Sequence, residues 1–214
     1  MTTVVHVVRH GEVHNPAGVL YGRLPDYHLS ELGQAMAERI ATSMAGRDVT
    51  YLVSSPLERA RETIAPSARL LGIEPEVDNR LLEAANVFEG KRFGVGDGAP
   101  RKPSAWWHLR NPFRPSWGEP YDVIAARMMA ALEDAAARAD GHEAVVVSHQ
   151  LPIWTLRNAA ERKRLWHDPR VRQCSLASVT SITMRGREVV SVGYAEPAAD
   201  LLPVRPTRRF QRGA

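Results

Sequence analysis

Hydrophobic residues along the chain form short continuous runs that alternate with repeats of four residues. Residues 4–8, 50–53 and 144–148 are nearly continuous apolar runs, which are typical of strands buried on both faces of a sheet. Between the first two runs, apolar side chains recur every fourth residue, as on the buried face of a helix, at Leu32, Met36, Ile40 and Met44. The alternation predicts parallel strands that are joined by helices.

Residues that favour helix ends mark the boundaries of these helices. Ser30 is predicted to cap the first helix and Gly46 to end it. Residues 55–58, Ser-Pro-Leu-Glu, combine an N-cap serine, a proline and a glutamate in the spacing of a capping box, and they predict the start of a second helix. Pro66 is expected to kink or split this helix before Gly72.

The second half of the chain adds two helices and a hairpin. Apolar spacing predicts helices over residues 120–139 and 151–160. Residues 177–184 and 189–194 flank an Arg-Gly-Arg turn and predict two antiparallel strands. Together these elements predict an α/β fold, a three-layer α/β/α sandwich with a mostly parallel, mixed sheet.

Residues 84–118 interrupt this rhythm, because they are rich in glycine and proline with tryptophan and phenylalanine between them. A stretch of this length without regular structure is usually a lid or a binding loop. Its basic residues fit either a solvated loop or a segment that binds a second anionic group. We expect one domain over residues 1–196, with residues 84–118 as a lid over the site and residues 197–214 as a basic tail.

Composition narrows the class of protein. The 214 residues are 44% hydrophobic and 24% charged, as in a globular domain. The chain lacks both an apolar run long enough for a membrane span and the pattern of a secretory signal. The single Cys174 excludes an internal disulfide and favours a reducing, cytoplasmic location. The net charge of +4 is spread along the chain, so we expect no nucleic-acid partner.

Basic side chains follow each of the three buried runs. Arg9 and His10 come directly after the first, Arg59 follows the second by a few residues, and His149 follows the third. Since the carboxyl ends of parallel strands meet at one edge of a sheet, these side chains are expected to lie together. Guanidinium groups bind phosphate oxygens in pairs, and a neutral imidazole can attack phosphorus. The pattern predicts phosphoryl-transfer chemistry.

Each of these residues alone also has a plainer interpretation. His10 fits a turn after a strand about equally well, and His149 in isolation is more typical of a satisfied histidine at the edge of the core. Arg59 alone is more typical of a solvated helix face. The placement of all of them after successive buried strands is what favours the functional interpretation.

Several longer motifs resemble the histidine phosphatase superfamily, in its phosphoglycerate mutase-like branch. The resemblance extends over about residues 4–185 and rests on the Arg-His-Gly-Glu of residues 9–12 and on residues 29–33, 54–63, 80–83, 88–90, 117–119, 127 and 145–149. The chain departs from the family pattern in a shorter first loop, in Gln150 where glycine is usual, and in lacking a glycine after Glu83. The resemblance implies a phosphoglycerate mutase-like fold.

The resemblance also implies roles for individual residues. His10 would be the phosphorylated nucleophile, and Arg9, Arg59 and His149 would form the phosphate pocket with it. Glu83 would donate a proton to the leaving oxygen and later activate water, with Glu89 as the alternative acid. No metal and no organic cofactor are expected.

Four further residues are implied in binding the phosphate or the rest of the substrate. They are Asn15, Gly22, Arg23 and Gln150. The implied partner is a small phosphorylated substrate, with no nucleic acid and no membrane, and a homodimer is left open.

Taken together, the sequence predicts a metal-independent phosphomonoester hydrolase that acts through a phosphohistidine on His10. The first alternative is a phosphoglycerate mutase, which forms the same intermediate but returns the phosphoryl group to the substrate. A non-catalytic phospholigand-binding protein and nucleic-acid binding through the basic tail are the alternatives from other classes. The physiological substrate is not specified by these motifs.

Overall fold

The structure is a computed structural model that describes residues 1–91 and 118–202. The strands are β1 (Thr2–Arg9), β2 (Val49–Ser54), β3 (Glu76–Val77), β4 (Glu143–Ser148), β5 (Val179–Arg185) and β6 (Glu188–Ala195). The helices are α1 (Glu31–Met44), α2 (Glu58–Leu71), α3 (Tyr121–Ala139) and α4 (Gln150–Ala160). Most of the predicted lid and tail, residues 92–117 and 203–214, lies outside the described residues.

The six strands form one mixed sheet in the order β3-β2-β4-β1-β5-β6. The strands β3, β2, β4 and β1 are parallel to one another, whereas β5 is antiparallel to β1 and β6 is antiparallel to β5. The predicted α/β class, the mixed sheet and the terminal hairpin are therefore confirmed. The short edge strand β3 was not predicted, because two exposed residues carry no hydrophobic pattern.

Helices cover both faces of the sheet, which gives the three predicted layers. On one face, Val145 and Val147 of β4 pack with buried residues of α1 and α2. On the other face, Ala144 and Val146 pack with buried residues of α3 and α4. Because successive side chains of β4 enter different cores, the strand sequence is continuously apolar. No helix of the described residues is long and apolar enough to cross a membrane.

Two predictions about α2 are wrong. The helix begins at Glu58 after Leu57, and no side chain caps its first turn, so Ser55 is not an N-cap. The helix also continues through Pro66 to Leu71 instead of splitting. Pro66 lies on the buried side of the helix, where tertiary packing maintains the helix despite the lost backbone hydrogen bond.

The register of the parallel strands determines which residues meet at the carboxyl edge of the sheet. Arg9 of β1 pairs with Ser148 of β4, and Ser54 of β2 pairs with Val147. The alignment continues one residue beyond β1 and β2. The His10 N–H donates to the Ser148 carbonyl at 3.2 Å, and the Ser55 N–H donates to the Val147 carbonyl at 2.9 Å. The three segments therefore leave the sheet side by side.

The first turn of α1 holds the loop that follows β1. The Gly33 N–H donates to the Ser30 hydroxyl at 3.0 Å, which confirms the predicted cap, and this hydroxyl donates to Glu12 Oε2 at 2.6 Å. Gly11 and Gly33 lie backbone to backbone, because a Cβ on Gly11 would meet the Gly33 carbonyl oxygen at 2.6 Å. The two glycines thus allow the loop to approach the helix closely.

Replacing Gly33 with alanine is expected to destabilise the fold. The new Cβ would lie 2.0 Å from the Glu12 carbonyl oxygen, and this backbone contact cannot relax by a rotamer change. We expect a loss of about 1–3 kcal/mol in the free energy of unfolding, which exceeds the gain of roughly 1 kcal/mol in helix propensity. Urea denaturation measures it, with the exposed Gln34→Ala as the matched control. A Gly33→Ala protein more stable than the wild type would contradict the close contact.

Candidate active site

His10 lies at the centre of the carboxyl edge of the sheet and is 1% exposed. Its Nδ1 lies 2.8 Å from the Gly11 carbonyl oxygen. Since a carbonyl only accepts hydrogen bonds, Nδ1 carries the proton and Nε2 carries the lone pair. The backbone therefore fixes the tautomer in which Nε2 can act as a nucleophile.

The surroundings of His10 keep its imidazole neutral. Burial lowers the pKa of His10 well below 6.5, and the positive charges of Arg59 and Arg9 lower it further. The effect of burial dominates because the low-dielectric interior disfavours the charged form. A neutral imidazole with a free Nε2 is the reactive form for attack on an electrophilic centre.

Arg9 and Arg59 are buried close enough to His10 for their charges to act on it, and each is anchored by one backbone carbonyl. Nη1 of Arg9 donates to the Cys174 carbonyl at 2.7 Å. Nη2 of Arg59 donates to the Gly22 carbonyl at 2.6 Å, and its guanidinium carbon lies 4.7 Å from the centre of the Tyr21 ring. No ion pair with a carboxylate neutralises either arginine within the described part of the chain, so two full positive charges lie beside His10.

His149 is the second buried histidine of this edge, with its ring centre 5.2 Å from that of His10. Burial, followed by the charge of Arg59, lowers its pKa well below 6.5. Its Nε2 lies 2.8 Å from the Ser55 hydroxyl, which also accepts a long bond of 3.5 Å from a backbone N–H. Ser55 can therefore donate to Nε2 and leave the proton of His149 on Nδ1.

Four buried nitrogens of this cluster have no hydrogen-bond partner in the part of the chain that the structure describes. They are Nε of Arg9, Nε and Nη1 of Arg59, and Nδ1 of His149. Buried donors are normally paired, and a cluster of unpaired ones requires an explanation. Two guanidinium groups and an imidazole N–H match the acceptor oxygens of a phosphate group. The arrangement is suited to holding a phosphate against Nε2 of His10.

Glu83 supplies a buried carboxyl group that lies within the electrostatic influence of Arg59 and Arg9. It is 6% exposed, and its Oε1 accepts the Ala84 N–H at 2.8 Å. Burial raises the pKa of Glu83 above its usual value, although Arg59, Arg172 and Arg9 limit the rise. A carboxyl with a raised pKa keeps its proton to a higher pH than an ordinary carboxyl and can act as a general acid.

The loop that carries Glu83 is fixed by an ion-pair network. Nε of Arg23 donates to the Glu83 carbonyl at 2.6 Å, and its Nη2 donates to Glu119 at 2.9 Å. Arg127 binds the same Glu119 carboxylate at 2.8 Å and also the Arg80 carbonyl. Arg23, which was predicted to bind substrate, therefore also holds the backbone of Glu83 through its carbonyl.

The three other residues that were predicted to bind the phosphate or the substrate contact different parts of the protein. Gly22 is buried with φ +42°, and its carbonyl anchors Arg59. Asn15 binds its own loop, donating to the Val19 carbonyl at 2.7 Å and accepting the Val19 N–H at 3.1 Å. Gln150 begins α4 and donates to the Cys174 carbonyl at 3.5 Å. In this structure the Asn15 and Gln150 side chains contact protein groups around the site.

Glu89, the alternative acid, binds the backbone of its own loop and packs against Gly22. Its Oε1 accepts the Asn86 N–H at 3.2 Å, and its side chain packs against Gly22 so closely that a Cβ there would lie 2.3 Å from it. Glu89 is half-buried, whereas Glu83 is buried among the arginines. The geometry favours Glu83 as the acid.

Sequence reasoning missed three residues of the site. Ser55, which was interpreted as a helix cap, binds His149. The ring of Tyr21 lies against the guanidinium of Arg59, and the charge of Arg172 acts on the Glu83 carboxyl. The Ser-Ser-Pro segment gave a signal for Ser55 that local helix rules misassigned, whereas Arg172 lies in a loop with no pattern around it. Within the described residues, no three His, Cys, Asp or Glu side chains come together in an arrangement that could hold a metal ion.

Comparisons with known proteins identify the family to which the chain belongs. A family model described as the histidine phosphatase superfamily (branch 1) matches residues 5–197. An uncharacterized protein of Mycobacterium tuberculosis (strain ATCC 25618 / H37Rv) is 59% identical over 197 residues, covering 92% of this chain and 98% of that protein. A probable phosphoglycerate mutase of Photorhabdus laumondii is 31% identical, covering 82% of this chain and 83% of that protein.

A solved structure shares the fold over nearly the whole chain. The native structure of a mycobacterial glucosyl-3-phosphoglycerate phosphatase superposes with a TM-score of 0.72 at 25% identity. The match covers 91% of this chain and 97% of that one. Both the predicted family and the predicted fold class are thereby confirmed.

Proposed function

Because the chain belongs to branch 1 of the histidine phosphatase superfamily, we propose that it is a metal-independent phosphomonoester hydrolase that acts through a phosphohistidine on His10. The observation that carries the proposal is the cluster of four buried donors on Arg9, Arg59 and His149, which have no partner among the described residues and lie beside a neutral His10. A fold alone supports several activities, and these side chains are what favours phosphoryl transfer over the others.

In the first half-reaction, the phosphate of the ester lies against both guanidinium groups and the Nδ1–H of His149. Nε2 of His10 attacks phosphorus, and the bond from phosphorus to the ester oxygen breaks. The carboxyl group of Glu83 gives its proton to that oxygen, so the alcohol leaves neutral and Glu83 becomes a carboxylate. The fixed positive charges stabilise the transferring group without any rearrangement.

In the second half-reaction, water attacks the phosphorus of the phosphohistidine. The Glu83 carboxylate accepts a proton from this water, the bond from phosphorus to Nε2 breaks, and inorganic phosphate is formed. Glu83 is then protonated again and His10 is neutral, so the cycle closes. No step requires a metal ion, because Arg9 and Arg59 provide the positive charge.

A phosphoglycerate mutase is the second candidate, supported by the 31% identity to a protein of that name. It would form the same phosphohistidine but return the phosphoryl group to a substrate oxygen. The deciding experiment incubates 3-phosphoglycerate with the protein in a chelator, with a catalytic amount of 2,3-bisphosphoglycerate. We expect release of inorganic phosphate from 3-phosphoglycerate or from an aryl phosphate run in parallel. Isomerisation to 2-phosphoglycerate without net phosphate release would establish the mutase instead.

Ser55 is expected to contribute to the rate through His149. In Ser55→Ala the imidazole loses the hydroxyl that holds its proton on Nδ1, so a fraction of the protein presents the wrong tautomer to the phosphate. We expect kcat for aryl phosphate to fall about tenfold, as for the loss of one hydrogen bond. Ser54→Ala is the matched control, because the Ser54 hydroxyl is buried without a partner among the described residues. Equal rates in the two variants would show that Ser55 does not act on His149.

A further inference from the structure

The hydroxyl group of Thr63 binds the backbone directly after His10. Thr63 lies one turn after Arg59 in α2 and is completely buried. Its Oγ1 donates to the Arg59 carbonyl at 2.6 Å and accepts the Gly11 N–H at 3.1 Å. The hydroxyl proton therefore points to the backbone of α2, and a lone pair points to the chain that follows His10. The first bond thus orients the hydroxyl for the second.

The Gly11 N–H belongs to the peptide group that joins His10 to Gly11, and this group is held at both ends. Its N–H donates to Thr63, and its carbonyl, which is that of His10, accepts the Ala177 N–H at 3.3 Å. Because a peptide group is a rigid plane, these two bonds fix the direction in which the chain leaves His10. The bond to Thr63 is the shorter of the two.

The Gly11 carbonyl decides the tautomer of His10. It lies 2.8 Å from Nδ1 of the imidazole and keeps the proton on that nitrogen. A glycine has a wide choice of backbone angles, so local sterics alone do not hold this carbonyl in place. Gly11 is placed by its contacts with the Gly33 backbone of α1 and with the Thr63 hydroxyl of α2. The hydrogen bond to Thr63 is the directional one of these contacts.

Helix structure alone does not account for this hydroxyl. Thr42 of α1 makes the same bond to the carbonyl four residues before it, that of Glu38, at 2.9 Å, but the Thr42 side chain is exposed. A bond of this kind competes with the backbone hydrogen bonds of a helix and adds little stability. A completely buried hydroxyl is also costly unless its hydrogen bonds are made. The bond to Gly11 is what distinguishes Thr63 from Thr42.

We propose that Thr63 is a positioning residue, which holds the backbone after His10 so that Nδ1 keeps its proton and Nε2 presents its lone pair to the phosphate pocket. The buried hydroxyl acts through Gly11 and not on the substrate. The effect of Thr63 on the rate rests on the proposed function, whereas its effect on the tautomer does not.

Nitrogen NMR measures the tautomer directly. The probe is protein labelled with ¹⁵N at histidine, because a ring nitrogen has different chemical shifts with a proton and with a lone pair. Since burial keeps the pKa of His10 well below 6.5, the spectrum near pH 7 reports the neutral ring. The signals that disappear in His10→Ala are those of His10. We expect a protonated Nδ1 in the wild type, and a wild-type ring with its proton on Nε2 would overturn the proposal without any variant of Thr63.

Two variants separate the hydroxyl of Thr63 from the shape of its side chain. Thr63→Val keeps the shape but loses both bonds, so the ring nitrogens of His10 should move toward the averaged shifts of a tautomer mixture. Its kcat/KM for aryl phosphate should fall about 10–100-fold, as for a misplaced reacting group. Thr63→Ser keeps the hydroxyl and should retain the wild-type shifts and most of the rate. Wild-type shifts in Thr63→Val, or the same losses in both variants, would contradict the proposal.

Phosphate affinity distinguishes positioning of the nucleophile from a general disturbance of the pocket. The donors on Arg9, Arg59 and His149 belong to side chains that Thr63→Val leaves in place. The inhibition constant of inorganic phosphate should therefore stay close to that of the wild type while kcat/KM falls. An affinity that falls as much as kcat/KM would show loss of the whole pocket and contradict the positioning role.

The matched control is Thr155→Val. Thr155 is equally buried in a helix, and its hydroxyl has no partner among the described residues. This variant should keep the wild-type shifts and rate, and changes equal to those of Thr63→Val would contradict a role specific to Thr63. Circular dichroism verifies that each variant is folded. If Thr63→Val does not fold, Thr63→Ala removes the same hydroxyl with the same expected shifts.

The spectrum and the rate also separate this proposal from the proposed function. A wild type that hydrolyses aryl phosphate, with a Thr63→Val protein that keeps its shifts and its kcat/KM, would contradict the role of Thr63 alone. A wild type without hydrolysis, in which Thr63→Val still changes the tautomer of His10, would support the positioning role and contradict the hydrolase.

Discussion

Phosphate release from every phosphomonoester is expected to fall by about 10⁴-fold or more when His10 is replaced by alanine. The loss is large because the variant has no nucleophile at the position where the two arginines hold the phosphate, and no covalent intermediate can form. Steady-state release of inorganic phosphate from an aryl phosphate, in chelator, measures it. Since the hydrogen bond of the His10 imidazole is to the neighbouring Gly11 carbonyl, and the backbone bonds of His10 remain in the variant, we expect the variant to fold.

The matched control for His10→Ala is His14→Ala. His14 lies in the same loop but is exposed to solvent, so its replacement should leave the rate within about twofold of the wild type. Turnover that survives in His10→Ala would show that another group attacks phosphorus. His149, whose ring lies next to that of His10, would then be the next candidate.

Glu83→Gln is expected to have the second largest effect, and this effect should depend on the leaving group. A glutamine cannot protonate a departing alkoxide, so hydrolysis of an alkyl phosphate should fall by about 10²–10⁴-fold. An aryl leaving group needs no proton, so the first half-reaction with aryl phosphate should remain fast. The second half-reaction still lacks its base, and we expect a burst of about one equivalent of phenol followed by slow turnover. Rapid-mixing absorbance measures the burst.

The pH dependence of the alkyl phosphate reaction gives the same residue a second test. The first step needs protonated Glu83 and neutral His10. Burial raises the pKa of Glu83 and lowers that of His10, and both shifts widen the pH range in which this combination exists. As the pH rises through the raised pKa of Glu83, kcat/KM should fall, and Glu83→Gln should lack this alkaline limb. If Glu89→Gln removed the limb instead, Glu89 would be the acid.

The sequence was sufficient for the parts of the fold that depend on burial. The runs at residues 4–8 and 144–148 are strands between two helical layers, and such strands are apolar at nearly every position. The neighbouring carboxyl ends of these strands explain why His10 and His149 could be predicted to lie together. The family resemblance then added Glu83, which no local pattern indicates.

Local rules failed where a tertiary contact took priority. Ser55 has the sequence of an N-cap, but its hydroxyl binds His149, which is 94 residues away in the chain. For Arg23, which the resemblance implied in substrate binding, the structure adds contacts of the guanidinium with the Glu83 carbonyl and with Glu119, and no local pattern predicts these contacts. Arg172 gave no signal, because it lies in a loop without a hydrophobic pattern and its charge acts on the Glu83 carboxyl only in the folded chain.

The most direct test of the central claim is detection of the phosphorylated residue. Glu83→Gln protein is mixed with aryl phosphate, quenched in base, in which phosphohistidine is stable, and digested for mass spectrometry. We expect close to one phosphoryl group per chain, on His10, and its loss after brief acid treatment. Turnover with no phosphorylated residue, or a phosphoryl group on another side chain, would contradict a mechanism through His10.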